Sequence, residues 1–291
     1  GKLDLFHSPD FVLPPTRGNI PTLLTVHDLS FVHFPHVYTK TLVDYLNKVV
    51  PWSVGRATHI LADSQATKRD IVALWGTPAD KVTVLYAAAG AEFVPVTDKT
   101  LCQTVRERYG LGDKPYLLAV GTVQPRKNYQ RLIRAFRPIA ANWPHNLVIA
   151  GGKGWLYDDI LAEIAAQGLT GRVIFTDFVA DKDLPALYSE ATLFLMPSIY
   201  EGFGIPILEA MGCGVPVISS NASCLPEVVG DAGVLLSPDD EKAWTDTIHL
   251  LLLDAPRRSH LVGKGAIQAR KFRWSAAARQ LKAIYRQFIE K

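Results

Sequence analysis

Residues 198–209 read Ser-Ile-Tyr-Glu-Gly-Phe-Gly-Ile-Pro-Ile-Leu-Glu and follow the apolar run Ala191–Met196. The apolar run predicts a buried strand, and Pro206 suits the first turn of a helix, where its missing N–H costs nothing. Gly202 and Gly204 let the backbone come close to a ligand. The stretch therefore predicts a strand, a tight glycine turn and a helix, whose free N–H groups form an anion site above the strand end.

Two glutamates stand eight positions apart in this stretch, Glu201 before the predicted helix and Glu209 about one turn into it. A carboxylate can accept two hydrogen bonds from a vicinal diol, such as that of a ribose or a hexose. The stretch therefore has the groups to hold a phosphate with a sugar hydroxyl on either side. That combination describes a nucleotide sugar.

The rest of the chain alternates short β-branched runs with amphipathic stretches, which is typical of parallel α/β layers. In the first part, strands are predicted at Leu3–His7, Thr22–His27, Thr58–Ala62 and Lys81–Leu85, and helices at Tyr38–Val54 and Ser64–Trp75. Ser64 is the expected N-cap of the second helix. Val94–Thr100 is predicted to be a turn-rich connector.

Residues after the connector predict a complete doubly wound domain. Its strands are predicted at Pro115–Val120, Leu147–Ala150, Arg172–Phe175, Thr192–Met196, Val215–Ser219 and Val234–Leu236. Its helices are predicted at Lys127–Ala141, Leu156–Gln167, Asp181–Ser189, from Pro206 onward and at Asp239–Leu253, with a last helix at Ser275–Ile289.

Composition bounds the protein class. With 291 residues and 48% hydrophobic content, the chain can bury a large core in two domains. No stretch is long and apolar enough to span a bilayer, and the start at Gly1 carries neither Met nor a signal-peptide pattern. Cys102, Cys213 and Cys224 form no CxxC pair, which favours a reducing cytoplasm over a disulfide scaffold.

The net charge of +3 is unevenly placed. Residues 256–291 hold ten Lys or Arg against one acid, a net +9, whereas the remainder holds 21 Lys or Arg against 27 acids, a net −6. Solvated faces of terminal helices account for such a segment. The alternative is peripheral attraction to anionic lipid headgroups at the inner membrane face or to a lipid-phosphate acceptor. No nucleic-acid partner is expected, because no basic repeat is interleaved with aromatic residues.

Four motifs resemble those of the retaining glycosyltransferases of family 4, which have the GT-B fold. They are Gly121-Thr-Val-Gln-Pro-Arg-Lys-Asn128, Pro197–Met211, Gly214–Ile218 and Leu225–Asp231. The resemblance implies two Rossmann-like doubly wound domains: a partial acceptor-side domain at 1–112 and a nucleotide-sugar domain at 113–272. A C-terminal helix at 273–291 is expected to pack back towards the first domain.

The first domain is expected to be incomplete. The family's amino-terminal domain opens with a strand and a glycine-rich loop, whereas residues 1–20 hold no Gly-Gly pair and Gly18 stands alone. An unprotected sheet edge pairs readily with other chains. We therefore expect a truncated chain, or a second copy or another chain that covers the edge.

The resemblance also implies roles for residues of the second domain. Gly121 and Thr122 belong to the first phosphate loop, and Arg126 and Lys127 follow a strand and open a helix, where an anionic diphosphate would offset two cations at a helix N-terminus. Many relatives carry arginine where Thr122 stands, so the charge here rests on Arg126 and Lys127. Val179 matches the loop that holds the base, although glycine is usual where Asp177 stands.

The implied roles continue through the quoted stretch. Glu209 is expected to bind the ribose hydroxyls and Glu201 the donor sugar. Phe203, Gly204 and Ile205 are expected to offer backbone amides to the sugar and the β-phosphate. His27, at the end of the predicted strand Thr22–His27, matches the active-site histidine near the anomeric centre.

No metal and no cofactor are expected. The spacing of His27, His33 and His36 matches no ligand pattern, and no Asp-x-Asp motif occurs. Gly151–Gly154 lacks the spacing of a phosphate loop and is predicted to be a tight turn after a strand.

We therefore predict retaining transfer of a sugar from a nucleoside-diphosphate sugar to a hydroxyl of a glycan or a lipid-linked acceptor. The Gly121–Asn128 loop resembles that of bacterial polysaccharide mannosyltransferases, so GDP-mannose is the first candidate donor. Two alternatives stay open at this point. One is a non-catalytic nucleotide-sugar-binding or assembly module, and the other is a sugar-nucleotide epimerase of the same fold.

Overall fold

A computed structural model describes residues 3–16 and 20–290 of the chain. Gly1 and Gly18, which figured in the predictions above, lie outside the described residues. Among the described residues, no helix has both the length and the apolar character needed to cross a membrane.

Strands and helices alternate along nearly the whole chain. The strands are β1 (Phe6–Ser8), β2 (Thr22–Val26), β3 (His59–Ala62), β4 (Val82–Val84), β5 (Tyr116–Val120), β6 (Asn146–Ala150), β7 (Val173–Phe175), β8 (Leu193–Met196), β9 (Val217–Ser220) and β10 (Gly233–Leu236). The α-helices are α1 (Ser30–His33), α2 (Lys40–Arg56), α3 (Gln65–Trp75), α4 (Lys99–Arg108), α5 (Tyr129–Asn142), α6 (Asp158–Ala166), α7 (Leu184–Ser189), α8 (Ile205–Gly212), α9 (Leu225–Val229), α10 (Glu241–Leu253), α11 (Ala255–Ala269) and α12 (Trp274–Ile289).

Contacts divide the chain into two compact units. The first holds the chain up to Ala88, the short segment Glu201–Phe203 and the chain from Phe272 onward, and the second holds Ala89–Tyr200 and Gly204–Lys271. Residues 89–112, drawn from the sequence as part of the first domain, therefore pack with the second unit.

The first unit is a parallel sheet in the order β1-β2-β3-β4 with helices on both faces. Side chains alternate along β2, so that Leu24 and Val26 face a core shared with α2 and α3, whereas Leu23 faces the other side. On that other side Leu23 packs with Ile284 of α12. Burial of both faces explains why the central strands β2 and β3 are mostly apolar and fully buried.

The second unit is a parallel sheet in the order β10-β9-β8-β5-β6-β7. The first strand of this unit in the sequence, β5, pairs with β6 on one side and β8 on the other. Strand order reverses at this point, so the loops that follow β5 and β8 diverge and leave a crevice at their carboxyl ends. Ligands of open α/β sheets bind at such crevices.

Most element predictions are confirmed, with shifts of one to three residues at their ends. The Ser64 cap is confirmed, because its hydroxyl accepts a hydrogen bond from the N–H of Thr67 at 3.0 Å. The connector prediction at Val94–Thr100 is wrong at its end. Asp98 caps α4 there by accepting from the N–H groups of Thr100 and Leu101.

Two predictions about strand and helix starts also need correction. The first strand begins at Phe6 rather than Leu3. Arg126 and Lys127 do not open α5, because Pro125–Lys127 forms a single 3₁₀ turn and Asn128 takes a left-handed conformation, φ 57°, before the helix begins. The Asn128 amide donates to the carbonyls of Pro197 and Pro238, and this tie to other loops fixes the break.

All three cysteines are buried free thiols. Burial raises the pKa of the Cys213 thiol to about 12.

Candidate functional site

The loops after β5 and β8 are joined to each other at the crevice of the second unit. The N–H of Ile199 donates to the carbonyl of Arg126 at 3.0 Å, and Arg126 Nη1 donates to the carbonyl of Tyr200 at 2.7 Å. Arg126 therefore ties the β5 loop to the β8 loop through both its backbone and its side chain.

Lys127 lies buried beneath the β5 loop, with 7% of its surface exposed. Gly121 makes this possible, because a Cβ there would stand 2.8 Å from Lys127 Cε and 3.0 Å from its Nζ. Gly121 also has φ 145°, which other residues rarely adopt. The Lys127 ammonium thus packs directly against the backbone of the β5 loop at Gly121.

A second glycine loop, after β6, packs on the first. A Cβ on Gly151 would lie 2.3 Å from the carbonyl oxygen of Gly121. The N–H of Val123 donates to the carbonyl of Gly152 at 2.9 Å. In return, the N–H of Gly154 donates to the carbonyl of Val123 at 3.0 Å. The segment follows β6 as predicted, but it forms a β-bridge from Lys153 to Val123 instead of a hydrogen-bonded tight turn, and this pairing supports the β5 loop.

A cavity of about 200 Å³ lies above the carboxyl ends of β5 and β6. Its lining includes Gly121, Thr122 and Val179, three residues that the sequence assigned to donor binding. Phe178 also lines it and is 74% exposed. Asp177 has φ 54°, a conformation natural to glycine, which explains why glycine is usual at this position.

The loop that carries Val179 is held from outside the cavity. Tyr109, just after α4, accepts from the N–H of Ala180 at 3.1 Å and donates to Asp183 at 2.8 Å. Arg108 also donates to Asp183, at 2.5 Å. Burial acts to raise the pKa of the Asp183 carboxyl, but the hydrogen bonds from Arg108 and Tyr109 outweigh it and hold that pKa below its usual value. The α4 helix thus fixes one wall of the cavity.

The glycine turn and α8 have the predicted form. Gly204 precedes the helix with φ 100°, and Pro206 lies in its first turn. A side chain at Gly204 would also meet Leu225, since a Cβ there stands 2.9 Å from Leu225 Cδ2. Pro206 has no N–H, and the N–H of Ile207 donates to the carbonyl of Gly204 at 3.0 Å, so an anion at this helix start would meet the N–H of Ile205.

Glu209 lies one turn into α8, and its carboxylate is neither isolated nor paired with a cation. Tyr188 of α7 donates a hydrogen bond to Glu209 Oε2 at 2.7 Å. Burial raises the pKa of Glu209 above its ordinary value, the Tyr188 bond opposes that rise, and the charges of Glu92 and Asp181 add to it. Asp181 lines the cavity, so Glu209 senses the charge of its wall.

His27 lies in the first unit, just past the end of β2. Its Nδ1 is 2.8 Å from Asp63 Oδ2 and its Nε2 is 3.0 Å from the carbonyl oxygen of Pro9. Both partners are acceptors, so both bonds form together only when the ring carries two protons. The hydrogen bond to Asp63 raises the pKa of His27 accordingly, and partial burial opposes it.

The segment Glu201–Phe203 packs with the same unit as His27. A Cβ on Gly202 would lie 2.3 Å from the carbonyl oxygen of His27, so only glycine fits there. Glu201 is buried, with 7% of its surface exposed. Phe203 lies 5.8 Å from the ring of Tyr86. The predicted site residues therefore fall into two sets. His27, Glu201 and Phe203 belong to the first unit, and the remaining predicted residues belong to the second.

His33, one of the histidines considered as a metal ligand, has a partner of its own. His33 Nε2 lies 3.1 Å from Asp70 Oδ2. Over residues 3–16 and 20–290, no three His, Cys, Asp or Glu side chains are grouped as metal ligands.

Two family models match the chain. One, described as glycosyl transferases group 1, matches residues 103–268, and one described as glycosyltransferase family 4 matches residues 1–89. The chain belongs to the group 1 glycosyltransferases. The predicted resemblance is therefore confirmed.

This glycosyltransferase is 36% identical over 285 residues to O-antigen chain mannosyltransferase B of Escherichia coli, covering 97% of this chain and 74% of that protein. It is 31% identical over 283 residues to the serotype-specific mannosyltransferase WbdA of Escherichia coli, covering 94% of this chain but 34% of that protein. Sucrose-phosphate synthase from Thermosynechococcus elongatus matches it with a TM-score of 0.79 and 26% identity, over 94% of this chain and 69% of that one. The predicted GT-B fold is confirmed.

Sequence reasoning missed two side chains that hydrogen-bond to candidate site residues. Asp63 directly follows β3, the parallel neighbour of β2, so the carboxyl ends of the two strands bring it to His27. That signal was present in the predicted strand ends. Tyr188 is 21 positions from Glu209, and no local pattern links the two residues.

Asp63→Asn tests the charge state of His27. Removing the carboxylate should lower the His27 pKa, measured by NMR titration of the imidazole. Because the folded-state pKa is raised, Asp63 stabilises the folded chain at and below the ordinary value of 6.5, and this contribution fades as pH rises through the folded value. The loss of thermal stability in Asp63→Asn should therefore be larger at pH 6 than at pH 9.

Asp70→Asn is the matched control, since it removes the partner of His33 instead. It should leave the His27 titration unchanged. An unaltered His27 pKa in Asp63→Asn would show that Asp63 does not hold the second proton.

Proposed function

We propose that this glycosyltransferase moves a sugar, with retention of configuration, from a nucleoside-diphosphate sugar to a hydroxyl of a glycan or a lipid-linked acceptor. The observation that carries the proposal is the cavity above β5 and β6. Gly121, Thr122 and Val179 line it together, although they come from two loops more than fifty positions apart. Such a crevice is where open α/β sheets hold nucleotides.

The second unit has the groups that a nucleoside diphosphate requires. In the proposal the base enters the cavity beside Val179, and the ribose hydroxyls donate to Glu209. The diphosphate meets Arg126, Lys127 and the first N–H groups of α8, at Gly204 and Ile205. Cations and helix amides together stabilise the charge that develops on a leaving diphosphate.

Three further residues carry the proposed contacts to the transferred sugar. His27, held by Asp63, would contact the sugar near the anomeric carbon. Glu201 would accept hydrogen bonds from the sugar hydroxyls, and the backbone amide of Phe203 would donate to the sugar or the β-phosphate. A charged imidazole beside the leaving group favours the developing negative charge. The leaving diphosphate takes the acceptor proton on the same face, so Glu201 acts by positioning and not as a covalent nucleophile.

Mannose is the proposed sugar and GDP its carrier. Two of the relatives described above are named mannosyltransferases, and one of them aligns over 97% of this chain. The Gly121–Asn128 loop supports the same choice, as noted from its sequence. We place the enzyme in the cytoplasm, where nucleotide sugars are the donors and thiols stay reduced.

We also propose peripheral contact with anionic lipid through α12. This helix turns Ile284 to the core of the first unit, with Leu281 and Phe288 packed beside it. Arg279 and Lys282 remain exposed on its other side. Each basic side chain near an anionic surface contributes about 1 kcal/mol of attraction, which salt screens.

A binding panel tests the donor site. Thermal shifts with GDP, UDP and ADP and with their sugars should single out one base, with GDP expected. Ligand at a hundred times its Kd should add about 2.7 kcal/mol of stability. Glu209→Ala should remove most of that gain, because the ribose hydroxyls lose their acceptor.

Turnover with the selected donor separates an enzyme from a binding module. We expect release of the nucleoside diphosphate and a product with the anomeric configuration of the donor, read by NMR. Tight binding with no loss of sugar to acceptor or water would favour the non-catalytic alternative, and an inverted product would contradict retention.

Gly121→Ala tests the phosphate loop. The methyl group would displace the Lys127 ammonium, so nucleoside-diphosphate affinity should fall about tenfold or more, since a hydrogen bond to a charged group contributes about 1.5–3 kcal/mol. Calorimetric titration measures the loss. Gly263→Ala on α11 is the control, because its Cβ would meet nothing within 4 Å. Equal affinity in the two variants would remove the loop from donor binding.

Vesicle flotation tests the lipid contact. Wild type should bind vesicles of phosphatidylglycerol and phosphatidylcholine at low salt and leave them at high salt. A variant with Arg279, Lys282 and Arg286 changed to Gln should bind several-fold less. Equal binding to pure phosphatidylcholine vesicles would contradict an electrostatic contact through α12.

A further inference from the structure

Tyr188 is a fully buried tyrosine whose side-chain hydroxyl makes one hydrogen bond. Its ring lies 5.6 Å from that of Phe194 on β8 and 5.9 Å from that of Phe93, in edge-on or tilted contact. The side chain has no exposed surface. Its hydroxyl donates to Glu209 Oε2 at 2.7 Å. Aromatic packing on two sides fixes the ring, so the hydroxyl marks a fixed point for the carboxylate.

Glu209 has one oxygen held in this way and one left over. No other residue in the described part of the chain hydrogen-bonds its carboxylate, and the side chain is partly exposed. The hydroxyl of Tyr188 therefore holds the carboxylate from the core side, while Oε1 and the remaining lone pairs of Oε2 stay available. A carboxylate whose plane is fixed in this way can accept a hydrogen bond from each hydroxyl of a vicinal diol.

Apart from Tyr188, the side chains around Glu209 offer nothing that would fix the orientation of its carboxylate. Its neighbours along α8 are Ile207, Leu208 and Ala210, all buried and apolar. The other ionisable groups that act on the pair are Glu92, Asp181, Cys213 and Tyr129, and none of them is a cation. Burial keeps the Tyr188 hydroxyl protonated, since its pKa lies well above the ordinary value. Tyr188 is thus always a donor towards Glu209.

We infer that Tyr188 is a positioning residue, which orients Glu209 so that its carboxylate accepts both ribose hydroxyls of the donor and rejects nucleotides that lack one. The inference rests on the proposed function, because it takes Glu209 as the ribose acceptor. It adds a specificity determinant from the core, which touches no part of the ligand.

The experiment compares ribonucleotides with their deoxy analogues. Calorimetric Kd values would be measured for GDP against 2′-deoxy-GDP and 3′-deoxy-GDP, and for the matching uridine pairs if UDP binds more tightly. Wild type should prefer the ribonucleotide by about 10- to 100-fold, the range for a hydrogen bond to a charged group. Tyr188→Phe should reduce this preference about fivefold or more, mainly through weaker ribonucleotide binding.

A pH series gives a second readout. The Tyr188 hydrogen bond lowers the pKa of Glu209, against its burial. Binding of GDP falls as pH drops through that pKa, because a protonated carboxyl loses acceptor capacity. In Tyr188→Phe the fall should begin at a higher pH than in wild type. Loss of a hydroxyl that served only to fill the core would not change the pH at which GDP binding falls.

Tyr116→Phe is the matched control. Tyr116 is equally buried in the same unit, and its hydroxyl donates to the carbonyl of Leu187 at 2.6 Å. The control should keep the wild-type preference for ribose and the wild-type pH limb. Binding stoichiometry reports the folded fraction of each variant, so a loss of folded protein is not read as a loss of affinity.

A double-mutant cycle with Glu209→Gln completes the test. If Tyr188 acts through Glu209, the tyrosine change should have no further effect on ribose preference in the glutamine background. An unchanged preference and pH limb in Tyr188→Phe, with normal discrimination in wild type, would overturn the inference and leave the proposed donor site intact. Lack of discrimination in wild type would overturn the role of Glu209 and the inference with it.

Discussion

The position of β5 between β6 and β8 is the constraint on which the candidate donor site depends. Parallel strands need crossover helices, and the reversal of strand order at β5 sends successive helices to opposite faces of the sheet. The loops after β5 and β8 are then neighbours across a gap that no crossover fills. Arg126, Lys127 and the start of α8 reach that gap only because the sheet has this order.

Loops at such a gap must be held without the help of sheet hydrogen bonds, and polar contacts from neighbouring elements provide this. Arg126 holds the carbonyl of Tyr200, Asn128 holds two further loop carbonyls, and Tyr109 holds the loop of Val179. Each contact fixes the backbone rather than leaving it to order on binding. Ordering loops in advance lowers the entropic cost that a ligand would otherwise meet.

The sequence predicted those parts of the fold that depend on local chemistry. Ser64 caps α3 and Pro206 opens α8 because capping and proline geometry act within one turn. The helix α4 escaped prediction since its buried side chains are few: Cys102, Val105 and Arg106 among polar neighbours. The helix α11 carries two glycines, Gly263 and Gly265, which weaken any helical signal.

The candidate site shows the same limit. His27, Glu201, Glu209 and the phosphate loop were named from motifs, and the cavity now joins three of the predicted residues. Whether those side chains bind a donor is still a prediction. Partners such as Tyr188 could not be found from the sequence, because a buried tyrosine in a short apolar helix looks like ordinary core. Only tertiary packing puts its hydroxyl on a carboxylate.

The contact between Gly121 and Gly151 restricts how this enzyme could be remodelled. With 2.3 Å between a Cβ at Gly151 and the carbonyl of Gly121, neither loop leaves room for a bulkier version of the other. A β5 loop that takes up more room around the Gly121 carbonyl would therefore clash with the β6 loop if it were exchanged alone. The two loops form one transplantable module, and libraries that vary them should vary both together.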